Sequence, residues 1–195
     1  AGYVLYGLEG DQFDMSRIKL GLDGREEDVE RYKQMLRNMG ELGIPLLCYN
    51  FMAGIGWHRS KADVRLRGGA LTSRFDIAEM PGTLTEAGPV SAERMWENYT
   101  WFIQRVIPVA EASGVRMGLH PDDPPIPELR GIGLIFCTPE NIERAPLHPL
   151  DQFRAFLVLR EKGMSEEEIA AAFFVDVKVV KQRLRLVSVS PALLE

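Results

Sequence analysis

Apolar residues recur along this chain first at a mixture of helical and strand spacings, then at helical spacing alone. Between Glu26 and Leu42, the positions Val29, Tyr32, Leu36 and Met39 fall on one helical face, and Gly40 and Gly43 supply a stop. The short apolar run Pro45–Phe51 follows and predicts a buried parallel strand. Residues 52–90 are rich in Gly, Pro and charge and predict a long loop, a length that is unusual unless the loop covers a site. Ser91 then reads as a helix N-cap with Glu93 in the first turn. Met95, Tyr99, Phe102, Val106 and Val109 mark that helix's buried face. Pro108 is expected to kink it, because proline lacks an amide donor. Gly114 ends it, and Val115–Leu119 predicts a second strand. Residues 124–139 read as loop. Helix, strand, loop, helix, strand is the rhythm of a parallel α/β fold.

From Pro149 onward the pattern is helical only. Asp151 to Lys162 predicts one helix, which Gly163 stops. Ser165 and Glu168 form a capping box that opens a second helix to about Phe173. Asp176 caps a third, through about Val187. Ile169, Ala170, Phe173, Val175, Val180 and Leu184 would share one small core. Three short helices with tight turns fit a helix-turn-helix. The expected fold class is therefore α/β, with partial TIM-barrel-like βα units over residues 1–135, followed by a small all-α helix-turn-helix domain over 139–195.

The chain has 195 residues, 46% hydrophobic and 26% charged, enough for one medium domain or two small ones. A net charge of -5 argues against nucleic-acid binding over the whole surface, while leaving room for a local basic face. Cys48 and Cys137 make no disulfide framework, so a cytoplasmic location is expected. No apolar run reaches the roughly 20 residues a membrane helix needs. The first residues lack the basic and apolar regions of a signal peptide. With no initiator Met and no distinct tail, a fragment or a processed chain is expected.

The first chemical candidate is His120-Pro-Asp-Asp-Pro-Pro125 at the end of the second strand, where α/β barrels carry their sites. Neutral imidazole is the commonest metal ligand, and the prolines limit the loop. His120 could equally be a structural hydrogen-bonder, with Asp122 and Asp123 capping the turn. Around it stand Arg17–Leu22, Glu30-Arg-Tyr-Lys33, Cys48-Tyr-Asn-Phe-Met52, Trp57 with Arg59, Met95-Trp-Glu-Asn98 and Ile107–Glu111. In this order, over residues 11 to 135, these motifs closely resemble mannonate dehydratase.

The resemblance implies a (β/α)8 barrel holding Mn2+ or Fe2+. It implies a lyase reaction that removes water from D-mannonate to give 2-keto-3-deoxy-D-gluconate. It makes His120 a metal ligand and places Tyr49 and Asn50 at a strand end facing the same pocket. Trp57 and Arg59 lie on the covering loop. Plain packing is the alternative for Tyr49 and Trp57, and a solvated charge for Arg59 against a carboxylate clamp. No residue is assigned as the general base. The family's remaining metal ligands, a Cys, a second His and an Asp, have no good match downstream. A barrel needs at least about 200 residues, so it cannot close over residues 1–135, and exposed strand edges would favour oligomerisation.

The second candidate is the third helix of the C-terminal part, which would expose Lys178, Lys181, Gln182 and Arg185 as a DNA-facing surface. A helical packing module with a solvated cationic face is the alternative. The motifs Glu140–Arg144, Leu147–Phe153, Met164–Ala170, Val180–Leu186 and Ser190–Leu194 resemble a ParB-type partition protein over residues 139–195. That resemblance implies duplex DNA as partner, and CTP with Mg2+ held by Glu140, Asn141 and Arg144. The Gly-x-Arg-Arg segment of such a nucleotide site has no counterpart upstream, and Phe174 replaces the Gly often found at the turn. His148 reads as structural.

Two functions compete. One is an incomplete mannonate dehydratase segment fused to a DNA-binding domain, as a natural fusion, an engineered chimera or an assembly error. The other is a ParB-type partition or regulatory protein with no enzymatic activity. A relic in which neither site works is the third possibility.

Overall fold

The computed structural model describes residues 2–145, 156–173 and 176–185. The chain forms strand β1 (Gly7–Glu9), helices α1 (Ser16–Leu20) and α2 (Arg25–Glu41), and strand β2 (Leu46–Tyr49). A hairpin of β3 (Lys61–Arg65) and β4 (Leu71–Arg74) follows, then helix α3 (Ala92–Ala112) and strand β5 (Arg116–Leu119). Two short strands, β6 (Glu128–Leu129) and β7 (Ile132–Gly133), precede helix α4 (Pro139–Arg144). β1, β2 and β5 make one parallel sheet with β2 in the middle. Cys48 pairs with Glu9 on one side and Gly118 on the other.

α2 and α3 cover this sheet because their apolar stripes match its helix-facing residues. Val29, Tyr32, Leu36 and Met39 of α2 are buried with Met95, Tyr99, Phe102 and Val106 of α3 and with Leu47 and Tyr49 of β2. Ser91 caps α3 through its side chain, accepting from the Arg94 amide. α3 runs through Pro108 to Ala112, so proline does not end it. Gly114, at φ +67, then turns the chain into β5. At the far ends of the two helices a Cβ on Gly40 would lie 2.3 Å from the Ser113 carbonyl oxygen.

Two stretches expected to be loop contain hairpins. Gly68 and Gly69, both at φ 85, make the β3–β4 turn. Nearly every residue of these strands is exposed, so no apolar alternation marks them in the sequence. Arg130 and Gly131, at φ 51 and 82, turn β6 into β7.

The first core extends past the boundary expected at 135. Phe136 and Ala145 belong to it, and Ile142 packs against it. Phe156, Ile169, Ala170, Val180 and Leu184 form a second cluster. Residues 156–161 and the segments Glu166–Phe173 and Val177–Leu184 are helical. The capping box is present: Ser165 Oγ accepts from the Glu168 amide at 3.2 Å and Glu168 Oε2 from the Ser165 amide at 2.8 Å. Asp176 accepts from the Lys178 amide at 2.7 Å. The readings of Leu147, His148, the helix start at Asp151, Phe174, Val175 and the segment beyond Arg185 lie outside the described residues.

Candidate active site

The loops that follow β1, β2 and β5 leave the sheet at one end and bring a polar cluster together. Its centre is Lys19, on α1 and 2% exposed. Its ammonium donates to Asp11 Oδ2 at 2.6 Å and to Asn50 Oδ1 at 2.8 Å. Burial pushes the Lys19 ammonium below its usual range, opposed first by the neighbouring Asp11 carboxylate. Asn50 Oδ1 also accepts from the Met52 amide at 3.2 Å.

β5 contributes His120, tied to β2 by its amide, which donates to the Tyr49 carbonyl at 2.8 Å. His120 Nδ1 lies 2.6 Å from the Pro121 carbonyl. That oxygen only accepts, so Nδ1 carries a proton, and the neutral ring in this tautomer presents its lone pair at Nε2. The Trp57 ring stands beside the imidazole, centroids 5.9 Å apart. Asp122 is 3% exposed. Its Oδ2 accepts from the Phe136 amide at 2.6 Å, and its buried Oδ1 has no hydrogen-bond partner among the described residues. Burial pushes its carboxyl up to about 6, against the pull of the Phe136 amide, His120 and Lys19. Asp123 receives both arms of Arg59, at 2.9 and 2.7 Å.

The expected residues therefore divide. Asn50, Trp57, Arg59 and His120 gather at the strand ends, whereas Tyr49 does not join them. Successive strand residues point to opposite faces of a sheet, and Tyr49 takes the helix face. Its hydroxyl is buried 2.9 Å from that of Tyr99 on α3. Packing is thus its role, a correction to the substrate-facing expectation. Lys19 and Asp11 were not singled out from the sequence. Lys19 sits between Ile18 and Leu20, and that apolar flanking was the one signal of its burial.

The residues expected to hold a nucleotide lie on α4. Asn141 gives its amide to the Thr138 cap of α4 at 3.2 Å. Glu140 lies in the first turn, its carboxyl held below the usual range by its own amide and by Thr138. Arg144 stacks over Trp96 at 4.2 Å, and burial lowers its guanidinium's affinity for the proton. Glu140 is exposed and Asn141 and Arg144 are half-buried on α4, whose Ile142 and Ala145 pack with the first core. Lys178, Lys181, Gln182 and Arg185 are exposed, with Lys181 Nζ 3.7 Å from Glu166.

The donor set fits one metal contact rather than a complete site. His120 Nε2 is available, but no group of three His, Cys, Asp or Glu among the described residues could hold a metal. Cys137 turns its thiol to the Leu134 carbonyl, 3.5 Å away, and burial raises its pKa.

Parallel βα units with a polar cluster at the strand ends place this chain among α/β proteins. A family model narrows the class: that of D-mannonate dehydratase (UxuA) matches residues 2–87 and 77–150. The chain belongs to the D-mannonate dehydratase family. It is 36% identical over 151 residues to mannonate dehydratase 2 of Halalkalibacterium halodurans, covering 65% of this chain and 44% of that protein. It is 35% identical over 152 residues to the mannonate dehydratase of Streptococcus equi subsp. zooepidemicus, with coverages of 65% and 42%. The crystal structure of mannonate dehydratase from Streptococcus suis serotype 2 superposes with a TM-score of 0.62 at 28% identity, covering 91% of this chain and 52% of that one. The chain thus spans about half the length of the relatives it matches. The family match stops at residue 150, and these comparisons support neither the ParB-type resemblance nor a separate helix-turn-helix domain. No helix among the described residues is long and apolar enough to cross a membrane.

Proposed function

We propose that this chain carries part of a mannonate dehydratase site, the part that binds a sugar acid and gives one ligand to a divalent metal, Mn2+ or Fe2+. The substrate on this reading is D-mannonate, which loses water to form 2-keto-3-deoxy-D-gluconate. The observation that carries the reading is His120 at the end of β5, its Nδ1 engaged by Pro121 and its Nε2 open. A hydrogen bond at one ring nitrogen fixes the tautomer that offers the other to a metal. A metal of this kind polarises oxygen and stabilises the charge that develops when a proton next to a carboxylate is removed.

Asn50 and Trp57 line the same strand-end surface in this reading. Arg59 orders the loop through Asp123 rather than clamping a substrate carboxylate directly. The protein is cytoplasmic and oligomeric on the same reading. With one ligand in place, weak metal binding is expected rather than a stoichiometric centre. Titration of the protein with Mn2+, followed by electron paramagnetic resonance, tests this. Binding that weakens in His120→Ala supports the assignment, and identical titrations of the two proteins would remove it.

A second reading rests on the exposure of Lys178, Lys181 and Gln182 along Val177–Leu184: duplex DNA binding by that helix. It predicts duplex binding that falls as salt rises and weakens in Lys181→Ala or Arg185→Ala. No retention of duplex at low salt would end it.

A further inference from the structure

Asn50 has one face committed inside the protein. Its Oδ1 accepts two hydrogen bonds, from the Lys19 ammonium at 2.8 Å and from the Met52 amide at 3.2 Å. Both partners only donate, so the amide cannot be flipped without setting two donors against its NH2 group. The orientation of Asn50 is therefore fixed, and Nδ2 must point away from Lys19 with both of its hydrogens available. Among the described residues no acceptor takes them, and Asn50 is only half-buried.

Lys19 is itself held rigidly. Its side chain is 3% exposed and its charge is matched by Asp11 at 2.6 Å. Its backbone carbonyl accepts from Asn98 Nδ2 of α3 at 3.0 Å. The loops after β1 and β2 and helix α3 thus meet in one network around the buried Lys19, and beside the partly exposed Asp11 carboxylate it turns a pair of amide donors outward.

We infer that Lys19 is a positioning residue: it fixes the Asn50 side-chain amide as a hydrogen-bond donor to a ligand oxygen at the strand ends, and so selects a ligand rich in acceptor oxygens. The inference deepens the sugar-acid reading and rests on it. An aldonate suits the arrangement because every carbon of its chain carries a hydroxyl or carboxylate oxygen. A ligand group that only donates, such as an ammonium, would meet two donors and be refused.

The discriminating variant is Asn50→Asp in the full chain. It is nearly isosteric and gives Lys19 an ionised partner, so a purely structural role predicts equal or better thermal stability and nothing else. The positioning role predicts that stability is kept while D-mannonate binding falls by about tenfold or more, the worth of one well-placed hydrogen bond. Lys19→Met should weaken binding similarly and broaden or shift the Asn50 side-chain amide pair in 15N-resolved NMR spectra, a pair identified by its absence in Asn50→Asp. If Lys19→Met fails to fold, Asn50→Asp and the amide shifts on adding D-mannonate to the unaltered protein still decide the matter. Unchanged affinity in Asn50→Asp, or no shift of the Asn50 pair at saturating mannonate, overturns the inference alone. No mannonate binding by the unaltered protein overturns it together with the sugar-acid reading.

Discussion

Arg59 and Asp123 lie 64 residues apart in sequence and meet through two parallel hydrogen bonds of 2.9 and 2.7 Å. The pair clips the loop after β2 to the loop after β5. Each side chain is 30% exposed, so solvent screens the attraction. A double-mutant cycle with Arg59→Ala and Asp123→Ala should give a coupling of only about 0.5–1 kcal/mol, declining with salt. Arg59→Lys should lose most of it, because an ammonium cannot form the fork. A salt-independent coupling of several kcal/mol would contradict the exposure of the pair.

The two tyrosine hydroxyls beneath the sheet make a stronger case for packing. Tyr49 and Tyr99 are buried and bonded to each other at 2.9 Å, and burial raises both pKa values. Tyr99→Phe leaves the Tyr49 hydroxyl without its partner and should cost about 1–2 kcal/mol in urea unfolding. Adding Tyr49→Phe should cost less than a second such increment, since the orphan is then removed. Additive losses would show that the hydroxyls do not depend on each other.

Asp122 gives the protein a pH signature. Its ordinary value of 3.8 rises to about 6 in the fold, chiefly through burial. The folded state therefore binds the extra proton, and the stabilisation is fully present below about pH 3.8 and lost as pH rises through about 6. Two pKa units correspond to at most about 3 kcal/mol. Asp122→Asn in metal-free protein should raise the melting temperature at pH 8 and change it little at pH 4.5. Equal effects at both pH values would mean that another group sets the profile.

Gly40 tests how closely α2 and α3 approach. On propensity alone Gly40→Ala should stabilise a helix by about 1 kcal/mol. The added Cβ would lie 2.3 Å from the Ser113 carbonyl oxygen, which is backbone and cannot swing aside. Overpacking of that kind costs about 1–3 kcal/mol, so a net loss of stability is expected by thermal denaturation. A gain would show that the helix ends separate easily.

What the sequence revealed was local. The buried face of α2, the Ser91 cap, the Gly114 turn, and the Ser165 and Asp176 caps each depend on residues within a few positions of one another. The His120 motif was legible for the same reason, as was its place at the end of a strand. Lys19 was not, because Asp11 and Asn50 stand 8 and 31 residues away and nothing local distinguishes an ion-paired lysine from a solvated one. Tyr49 departs from the expectation because alternation along β2 sends it to the helices, where its hydroxyl meets that of Tyr99. Glu140, Asn141 and Arg144 share the short helix α4, and nothing in their spacing tells which side of the chain it packs on. Asn141 bonds to the Thr138 cap, and Arg144 stacks on Trp96 of the preceding core.

The contact between Trp57 and His120, 5.9 Å between ring centres, equips the protein with an optical reporter. A paramagnetic ion seated on that imidazole would drain the excited state of the neighbouring indole. Trp96 is buried in the core beneath Arg144, and Trp101 lies on α3 beneath Arg25 and Arg105. Quenching confined to Trp57 would thus report occupancy of His120 directly, in native protein and without any attached dye.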